Sequence, residues 1–170
     1  GMSYAGKRAL VCMKHVGLNV AADAFINSAI TGINGGLVVL VADDPSMHFS
    51  QNEQDSRFYG KFSMVPVLEP ASQQECYDLT YKAYELSEKY KLPVLVRVTT
   101  RLAHSRAGVI RRELHPQNET RIPEDHTQFI LLPAFARKRY RGLLDQQPDL
   151  EADAASLGFN MIQQGKDRSR

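Results

Sequence analysis

Near-continuous apolar runs alternate with segments of helical periodicity along the chain. The runs "RALVCM" (8–13), "GLVVLVA" (36–42) and "PVLVRVT" (93–99) show little apolar/polar alternation, which is typical of strands covered on both faces in a parallel sheet. Between the first two runs, residues 18–31 carry apolar side chains at helical spacing, and Gly32 marks the end of that helix. This order predicts a strand, a helix and a second strand.

A second helix precedes the third strand. Ser72 and Glu75 have the spacing of a capping box, and Leu79, Ala83 and Leu86 then mark one face of a helix that ends near Tyr90. Strands that alternate with helices favour right-handed crossovers and parallel pairing. The pattern therefore predicts an α/β fold with three layers, α/β/α, and a mostly parallel sheet.

The last third of the chain has a different pattern. Residues 115–128 ("HPQNETRIPEDHTQ") are polar and without periodicity, which predicts a long loop or linker. Residues 134–146 and 149–157 are then expected to form helices. We expect a partial α/β domain at 2–114, followed at 115–170 by a linker and a C-terminal helical segment.

Composition limits the class of protein. The length of 170 residues suits one domain, and 43% hydrophobic with 24% charged residues is ordinary for a soluble globular protein. The chain lacks both a long apolar span and an N-terminal signal pattern, so we expect a cytoplasmic protein with no membrane partner. Cys12 and Cys76 form no C-x-x-C pair, and we expect both to be buried thiols.

Nucleic acid is not an expected partner. The 21 basic and 19 acidic residues nearly balance. The span 97–112 contains five arginines but no aromatic residue on which a base would stack.

Polar segments follow each of the three predicted strands. They are "KHVGLN" (14–19), "DDPSMHFSQNEQDSR" (43–57) and "TRLAHSR" (100–106). Ligands of open parallel sheets bind outside the carboxyl ends of the strands. The three segments are therefore expected at one edge, where a site would form.

The first polar segment has two interpretations. Gly17 would let the backbone approach a ligand, and His15 could exchange a proton near neutral pH. Alternatively, Asn19 or a neighbour caps the following helix while Lys14 and His15 are solvated. The residues alone leave both interpretations open.

The second polar segment also has alternatives. Asp43 and Asp44 suit a turn better than a catalytic carboxylate pair, and His48 with Asp55 lacks zinc-ligand spacing, so no metal site is predicted. Arg57 could grip a planar carboxylate with two parallel hydrogen bonds, or it could form a surface ion pair with Glu53 or Asp55.

Four longer motifs resemble one family in the same order. They are "ALVCMKHVGLNVAAD", "GGLVVLVADDPSMHFSQNEQDSRFYGKF", "VPVLEP" and "PVLVRVTTRLAHSR". Together they resemble the large (alpha) subunit of indolepyruvate ferredoxin oxidoreductase over about Ser3 to Phe159. The matching region is the thiamin-diphosphate pyrimidine (Pyr) domain of the pyruvate:ferredoxin oxidoreductase superfamily, together with the segment after it.

The resemblance implies a CoA-dependent oxidative decarboxylation of arylpyruvates. Thiamin diphosphate with Mg would supply the carbanion, and iron–sulfur clusters on other domains would accept electrons. An Arg shortly before a Gly binds the substrate carboxylate in the related pyruvate enzymes, which assigns that role to Arg57 in "RFYG". By resemblance, His15 and Asn19 lie near the reactive carbon of the cofactor, and Gly17 is the further residue expected to bind the cofactor. The further residues expected to contact substrate are His48, Gln51 and Asn52.

The resemblance also shows a departure from the family pattern. Gly1 is interpreted as a remnant of tag removal, so the chain begins at Met2, after the strand–helix region that holds the family's catalytic glutamate. We therefore expect a Pyr module truncated at its N-terminus and inactive alone. The alternative is a non-catalytic, degenerate Pyr-like module for subunit association or regulation. An exposed apolar sheet edge would favour a homodimer or other domains and subunits as partners.

Overall fold

A parallel sheet forms the centre of the computed structural model, which describes residues 1–160, 162 and 165. The strands are β1 (Ala9–Lys14), β2 (Leu37–Asp43), β3 (Val67–Leu68) and β4 (Val94–Thr99). Their order is β1-β2-β4-β3, and every neighbouring pair is parallel. The three predicted strands are confirmed within one residue at each end. The two-residue strand β3, which lies within the "VPVLEP" motif and at one edge of the sheet, was not predicted.

Helices lie on both faces of this sheet. They are α1 (His15–Val20), α2 (Ala22–Thr31), α3 (Arg57–Ser63), α4 (Gln73–Tyr90), α5 (Thr100–Ala103), α6 (Pro133–Asp145) and α7 (Gln147–Ser156), with a short 3-10 turn at Pro45–Met47. One core cluster joins Val39, Val41 and Leu95 of the sheet to Leu18 and Phe25. The cluster on the other face comprises Val38, Leu68, Leu79, Ala83, Leu86, Val94 and Val96. The α/β fold with three layers is confirmed.

The helix expected at 18–31 is interrupted. The chain passes directly from β1 into α1 at His15, and Ala21 separates α1 from α2. Lys14 is the N-cap of α1 in extended backbone and makes no side-chain cap hydrogen bond. The expectation that Asn19 caps the helix is therefore wrong, because Asn19 lies inside α1. The predicted end at Gly32 is confirmed, with φ at 70°.

The start of α4 follows the predicted capping box. The Ser72 hydroxyl accepts a hydrogen bond from Glu75 N at 3.2 Å, and Glu75 Oε2 accepts one from Ala71 N at 2.7 Å. Buried Leu79, Ala83 and Leu86 form the predicted apolar face, and the helix ends at Tyr90. Lys91 then adopts a left-handed conformation with φ at 56°.

Strand β1 forms one edge of the sheet and is less covered than its apolar sequence suggested. Leu10 and Val11 are 49% and 40% exposed, and the Cys12 thiol is exposed rather than buried. The physical reason is its position, since α4 packs on β4 and β2. The exposed apolar edge agrees with the reasoning behind a homodimer, which stays a prediction.

The C-terminal helices contact the α/β layers. α6 packs against α2, and its Leu143 belongs to the first core cluster. Tyr90 of α4 donates a hydrogen bond from its hydroxyl to Asp153 of α7 at 2.7 Å. The division of the chain at residue 114 stays a prediction. In the described part of the chain, no helix is both long and apolar enough to cross a membrane.

Candidate functional site at the carboxyl edge

The polar segments after β1, β2 and β4 meet at the carboxyl edge of the sheet. Lys14 Nζ donates to the Phe49 carbonyl at 2.7 Å, which joins the first segment to the second. Thr100 Oγ1 donates to Asp44 Oδ1 at 2.7 Å, which joins the third segment to the second. The parallel strands therefore bring the three segments together, as the topology predicts.

Asp44 fixes the shape of the loop that follows β2. Its carboxylate accepts hydrogen bonds from the Ser50 hydroxyl at 2.7 Å, from Phe49 N at 2.6 Å and from His48 N at 3.2 Å, in addition to the bond from Thr100. These bonds, that of Ser50 first, hold the pKa of Asp44 well below its usual value. Asp44 is thus a structural carboxylate, in agreement with the turn interpretation.

Asp43 forms a buried ion pair with Arg97. Arg97 Nε donates to Asp43 Oδ2 at 2.6 Å, and both side chains are buried. Asp43 also accepts from Ser56 N at 2.9 Å and from the Ser56 hydroxyl. Ser56 immediately precedes α3, so this pair sets where α3 begins. Asp43 is therefore not half of a free carboxylate pair with Asp44.

Arg57, the expected carboxylate clamp, is the first residue of α3 and forms an ion pair with Asp55. Its Nε donates to the two Asp55 oxygens at 2.8 and 3.0 Å, and its Nη2 donates to Oδ2 at 2.6 Å. The pair lowers the pKa of Asp55 and raises that of Arg57, chiefly through these hydrogen bonds. Glu53, the other partner considered, accepts a bond from Ser46 N at 3.0 Å instead. The ion-pair interpretation is thus realised with Asp55, while the Arg57 side chain remains 55% exposed to solvent.

His15 and Asn52, two of the expected site residues, contact each other. His15 Nε2 lies 3.3 Å from Asn52 Oδ1, and the His15 side chain is buried at the start of α1. The other ring nitrogen, Nδ1, is buried and has no hydrogen-bond partner among the described residues. A buried polar atom without a partner calls for an explanation, such as an ordered water or a bound polar group.

Gly17 and Asn19 lie inside α1 rather than in a loop. A Cβ on Gly17 would lie 3.1 Å from Met13 Cβ, so Gly17 allows α1 to pack closely on β1. The Asn19 side chain accepts a hydrogen bond from the Tyr59 hydroxyl, which connects α1 to α3. The expectation that Gly17 lets the backbone approach a ligand stays a prediction.

His48 and Gln51 are exposed on the loop over the edge. The His48 ring lies 6.5 Å from that of Phe49, whose ring lies 5.4 Å from that of His104. Within the described part of the chain, no hydrogen bond joins the side chains of His48 or Gln51 to His15 or Arg57. The structure therefore brings together His15 with Asn52, but leaves His48 and Gln51 apart from them.

Sequence reasoning missed the ionic cluster beside Arg57. Arg97 also contacts Glu69, and Glu69 Oε2 lies 3.7 Å from Arg57 Nη1. Arg97 Nε lies 3.8 Å from Asp55 Oδ1. The available signal was Arg97 itself, a charged residue within the apolar strand "PVLVRVT" that had to have a buried partner.

Comparisons with known proteins agree with the motifs at this edge. The family model described as pyruvate flavodoxin/ferredoxin oxidoreductase, thiamine diP-bdg, matches residues 1–140. Indolepyruvate oxidoreductase subunit IorA of Thermococcus kodakarensis is 45% identical over 171 residues, which cover 97% of this chain and 26% of that protein. The corresponding subunit of Archaeoglobus fulgidus is 46% identical over 168 residues, covering 97% and 27%.

A more distant relative has a different name. 2-Oxoglutarate synthase subunit KorA of Methanothermobacter thermautotrophicus is 33% identical over 67 residues, which cover 38% of this chain and 18% of that protein. The chain spans about a quarter of the length of the IorA relatives. The match over residues 1–140 and the α/β fold establish that the chain belongs to the thiamine diphosphate-binding family of pyruvate flavodoxin/ferredoxin oxidoreductases.

Proposed function

We propose that this chain forms the substrate-carboxylate side of the active site in a thiamin-diphosphate-dependent 2-oxo acid:ferredoxin oxidoreductase. The reaction is the oxidative decarboxylation of indolepyruvate or another arylpyruvate to an acyl-CoA. The observation that carries the proposal is the position of Arg57, accessible at the carboxyl edge, in a chain of this family. The IorA relatives, which are named indolepyruvate oxidoreductase subunits, support an arylpyruvate as substrate.

Arg57 suits this role by its chemistry. A guanidinium presents neighbouring N–H donors that match the two oxygens of a carboxylate, so it fixes orientation as well as charge. Holding the carboxylate in one orientation also holds the bond that is broken on decarboxylation. We assign Arg57 the binding of the 2-oxo acid, with His48 and Gln51 on the exposed loop and Asn52 beside His15 as further substrate contacts.

The edge fits part of thiamin diphosphate. The Nδ1 of His15 is a buried polar atom that lacks a hydrogen-bond partner, which a polar ring could satisfy if the edge opens to it, and Asn52 contacts the same imidazole. When bound, thiamin diphosphate supplies the carbanion chemistry that decarboxylation of a 2-oxo acid requires. We assign His15 and Asn19 to the cofactor, with Gly17 acting through the close packing of α1 on β1.

Other parts of a complete enzyme would hold the remaining groups. Among residues 1–160, 162 and 165, no three His, Cys, Asp or Glu side chains group as metal ligands. By the family resemblance, we assign Mg, the diphosphate and the iron–sulfur clusters to other domains or subunits. The 170-residue chain alone should not oxidise indolepyruvate with thiamin diphosphate, Mg, CoA and a dye acceptor, and turnover above the blank would contradict this assignment.

Substitution of Arg57 in a complete oxidoreductase that contains this segment tests the proposal. Arg57→Ala should lower kcat/KM for indolepyruvate by about 10- to 150-fold, or about 1.5 to 3 kcal/mol, the scale of a lost charge-assisted hydrogen bond. Arg112→Ala is the matched control, because Arg112 is similarly exposed and pairs with Asp78. An unchanged kcat/KM for Arg57→Ala would remove Arg57 from the site.

A further inference from the structure

The Asp55 carboxylate already occupies the Nε and Nη2 side of the Arg57 guanidinium. Its Nε and Nη2 donate to Asp55, and its remaining nitrogen, Nη1, lies 3.7 Å from Glu69 Oε2. A second carboxylate needs two neighbouring N–H groups to bind in bidentate fashion. A 2-oxo acid therefore cannot take the Nε and Nη2 pair of Arg57 until the Asp55 carboxylate has moved.

A second guanidinium lies beside Asp55. Arg97 Nε is 3.8 Å from Asp55 Oδ1, so the two charges attract each other, although the single Nε–H of Arg97 is donated to Asp43. Arg97 is itself held in place, because its side chain is 7% exposed and bonded to Asp43 and Glu69. The Asp55 side chain is 29% exposed. Asp55 thus has room to turn, whereas Arg97 is a fixed cation beside it.

The balance of charge gives the reason for that movement. Three carboxylates, those of Asp43, Asp55 and Glu69, share the two guanidinium groups of Arg57 and Arg97. A substrate carboxylate would be a fourth anion at the same two cations. Asp55 and a substrate carboxylate would compete for the same Nε and Nη2 donors of Arg57, so binding of one at this pair is coupled to departure of the other.

We propose that Asp55 occupies Arg57 when no 2-oxo acid is bound and turns toward Arg97 when the substrate carboxylate takes its place. Asp55 is then a positioning residue that keeps Arg57 extended along the edge and competes with substrate for it. This inference rests on the proposed function, since it takes Arg57 as the binding group for the 2-oxo acid. The ligand that displaces Asp55 is defined by its chemistry as a carboxylate next to a carbonyl group.

Substitution Asp55→Asn in the complete oxidoreductase tests the competition. The asparagine oxygen can still accept the bond from Arg57 N that Asp55 Oδ1 accepts at 3.0 Å, so the local turn is retained while the charge is removed. We expect the KM for indolepyruvate to fall about two- to fivefold, the range given by the strength of an exposed ion pair. The effect should fall on KM rather than kcat.

Binding of unreactive probes gives a second measurement. Asp55→Asn should tighten the inhibition by indole-3-acetate, which has a carboxylate, and leave the inhibition by indole-3-acetamide, which has none, unchanged. Asp78→Asn is the control, because it removes a carboxylate that pairs at 2.7 Å with Arg112 instead of Arg57. We expect Asp78→Asn to change neither constant.

Comparison with Arg57→Ala separates the two proposals. If Arg57→Ala raises KM and Asp55→Asn lowers it only when Arg57 is present, the competition is supported. If Arg57→Ala raises KM but Asp55→Asn leaves KM unchanged or raises it, the competition is refuted and the proposed function stands. If Arg57→Ala leaves kcat/KM unchanged, the assignment of the substrate carboxylate to Arg57 fails, and the competition fails with it.

Discussion

Substitution Arg97→Leu is the most informative test of what holds the carboxyl edge together. The leucine fills much of the space of the Arg97 stem but leaves the Asp43 carboxylate without its cation. The Asp43 side chain is fully buried, and its bond from Arg97 Nε is 2.6 Å long. The remaining partner of Asp43 is Ser56, which donates from its backbone N at 2.9 Å and from its hydroxyl.

The magnitude follows from the burial of this pair. Removing one partner of a buried ion pair costs about 3 to 5 kcal/mol, because an unpaired charge remains in the interior. We expect about 3 kcal/mol here, at the lower end, since Ser56 continues to donate two hydrogen bonds to Asp43. The contact of Arg97 with Glu69 adds little, because the Glu69 side chain is 41% exposed. A loss of this size is a large part of the roughly 5 to 15 kcal/mol that stabilises a typical domain.

Urea unfolding of the 170-residue chain, followed by circular dichroism, measures this loss. With m about 1 to 3 kcal/mol per molar urea, the midpoint should fall by roughly 1 to 3 M. Arg112→Leu is the control, because it removes a pair whose arginine is 52% exposed and should cost less than about 1 kcal/mol. Arg97→Lys, which keeps a cation near Asp43, should lie between Arg97→Leu and the unsubstituted chain.

The double variant Asp43→Asn with Arg97→Leu decides the cause of the loss. Removing both charges should restore part of the stability lost in Arg97→Leu, because no unpaired carboxylate is left in the interior. If Arg97→Leu costs no more than Arg112→Leu, the reasoning that Asp43 depends on a buried cation is refuted. If the free energy of unfolding lost in the double variant equals the sum of the losses in Asp43→Asn and Arg97→Leu, the loss in Arg97→Leu reflects packing rather than charge.

Three further predictions concern a loop, a close helix contact and a helix cap. Hydrogen bonds from Ser50 and Thr100 lower the pKa of Asp44, so the ionised carboxylate stabilises the fold above pH 3.8, and this contribution is lost as the pH falls below that value. In urea titrations between about pH 5 and pH 2, the free energy of unfolding should therefore fall less for Asp44→Asn than for the unsubstituted chain. A Cβ on Gly60 would lie 1.9 Å from Val67 Cγ2. Gly60→Ala should thus cost about 1 to 3 kcal/mol, most of it recovered with Val67→Ala, and a cost that Val67→Ala leaves unchanged would contradict the steric explanation. Ser72→Ala should cost about 0.5 to 2 kcal/mol through loss of the α4 cap, and an unchanged thermal midpoint would show that the bond to Glu75 N contributes nothing.

The periodic parts of the fold could be predicted because their signals are local. The apolar runs predicted β1, β2 and β4, and the spacing of Ser72 and Glu75 predicted where α4 begins. The break at Ala21 could not be predicted, because the apolar side chains keep helical spacing across it and no Gly or Pro marks it. The burial of β1 was overestimated for a related reason, since apolar content does not show whether a strand lies at the edge of a sheet.

The candidate site could be predicted in position but not in pairing. Parallel topology placed the three polar segments at one edge, and Arg57 was recognised as a residue able to bind a carboxylate. The choice of Asp55 over Glu53 as its partner depends on the turn at 55–57, in which Asp55 accepts from Arg57 N while Glu53 turns back to Ser46 N. Sequence distance alone does not distinguish the two carboxylates.

Arg97 connects the fold to the site. It pairs across the sheet with Val41, so its side chain lies on the same face as that of Asp43, two residues further along β2. Asp43 in turn holds Ser56, and Ser56 is the residue directly before Arg57. A charge that is costly to bury is therefore used to fix the start of α3, and with it the backbone from which Arg57 extends. If Arg57 binds the 2-oxo acid as proposed, Arg97→Leu should disturb that binding as well as stability in a complete oxidoreductase, although the Arg97 side chain is itself buried.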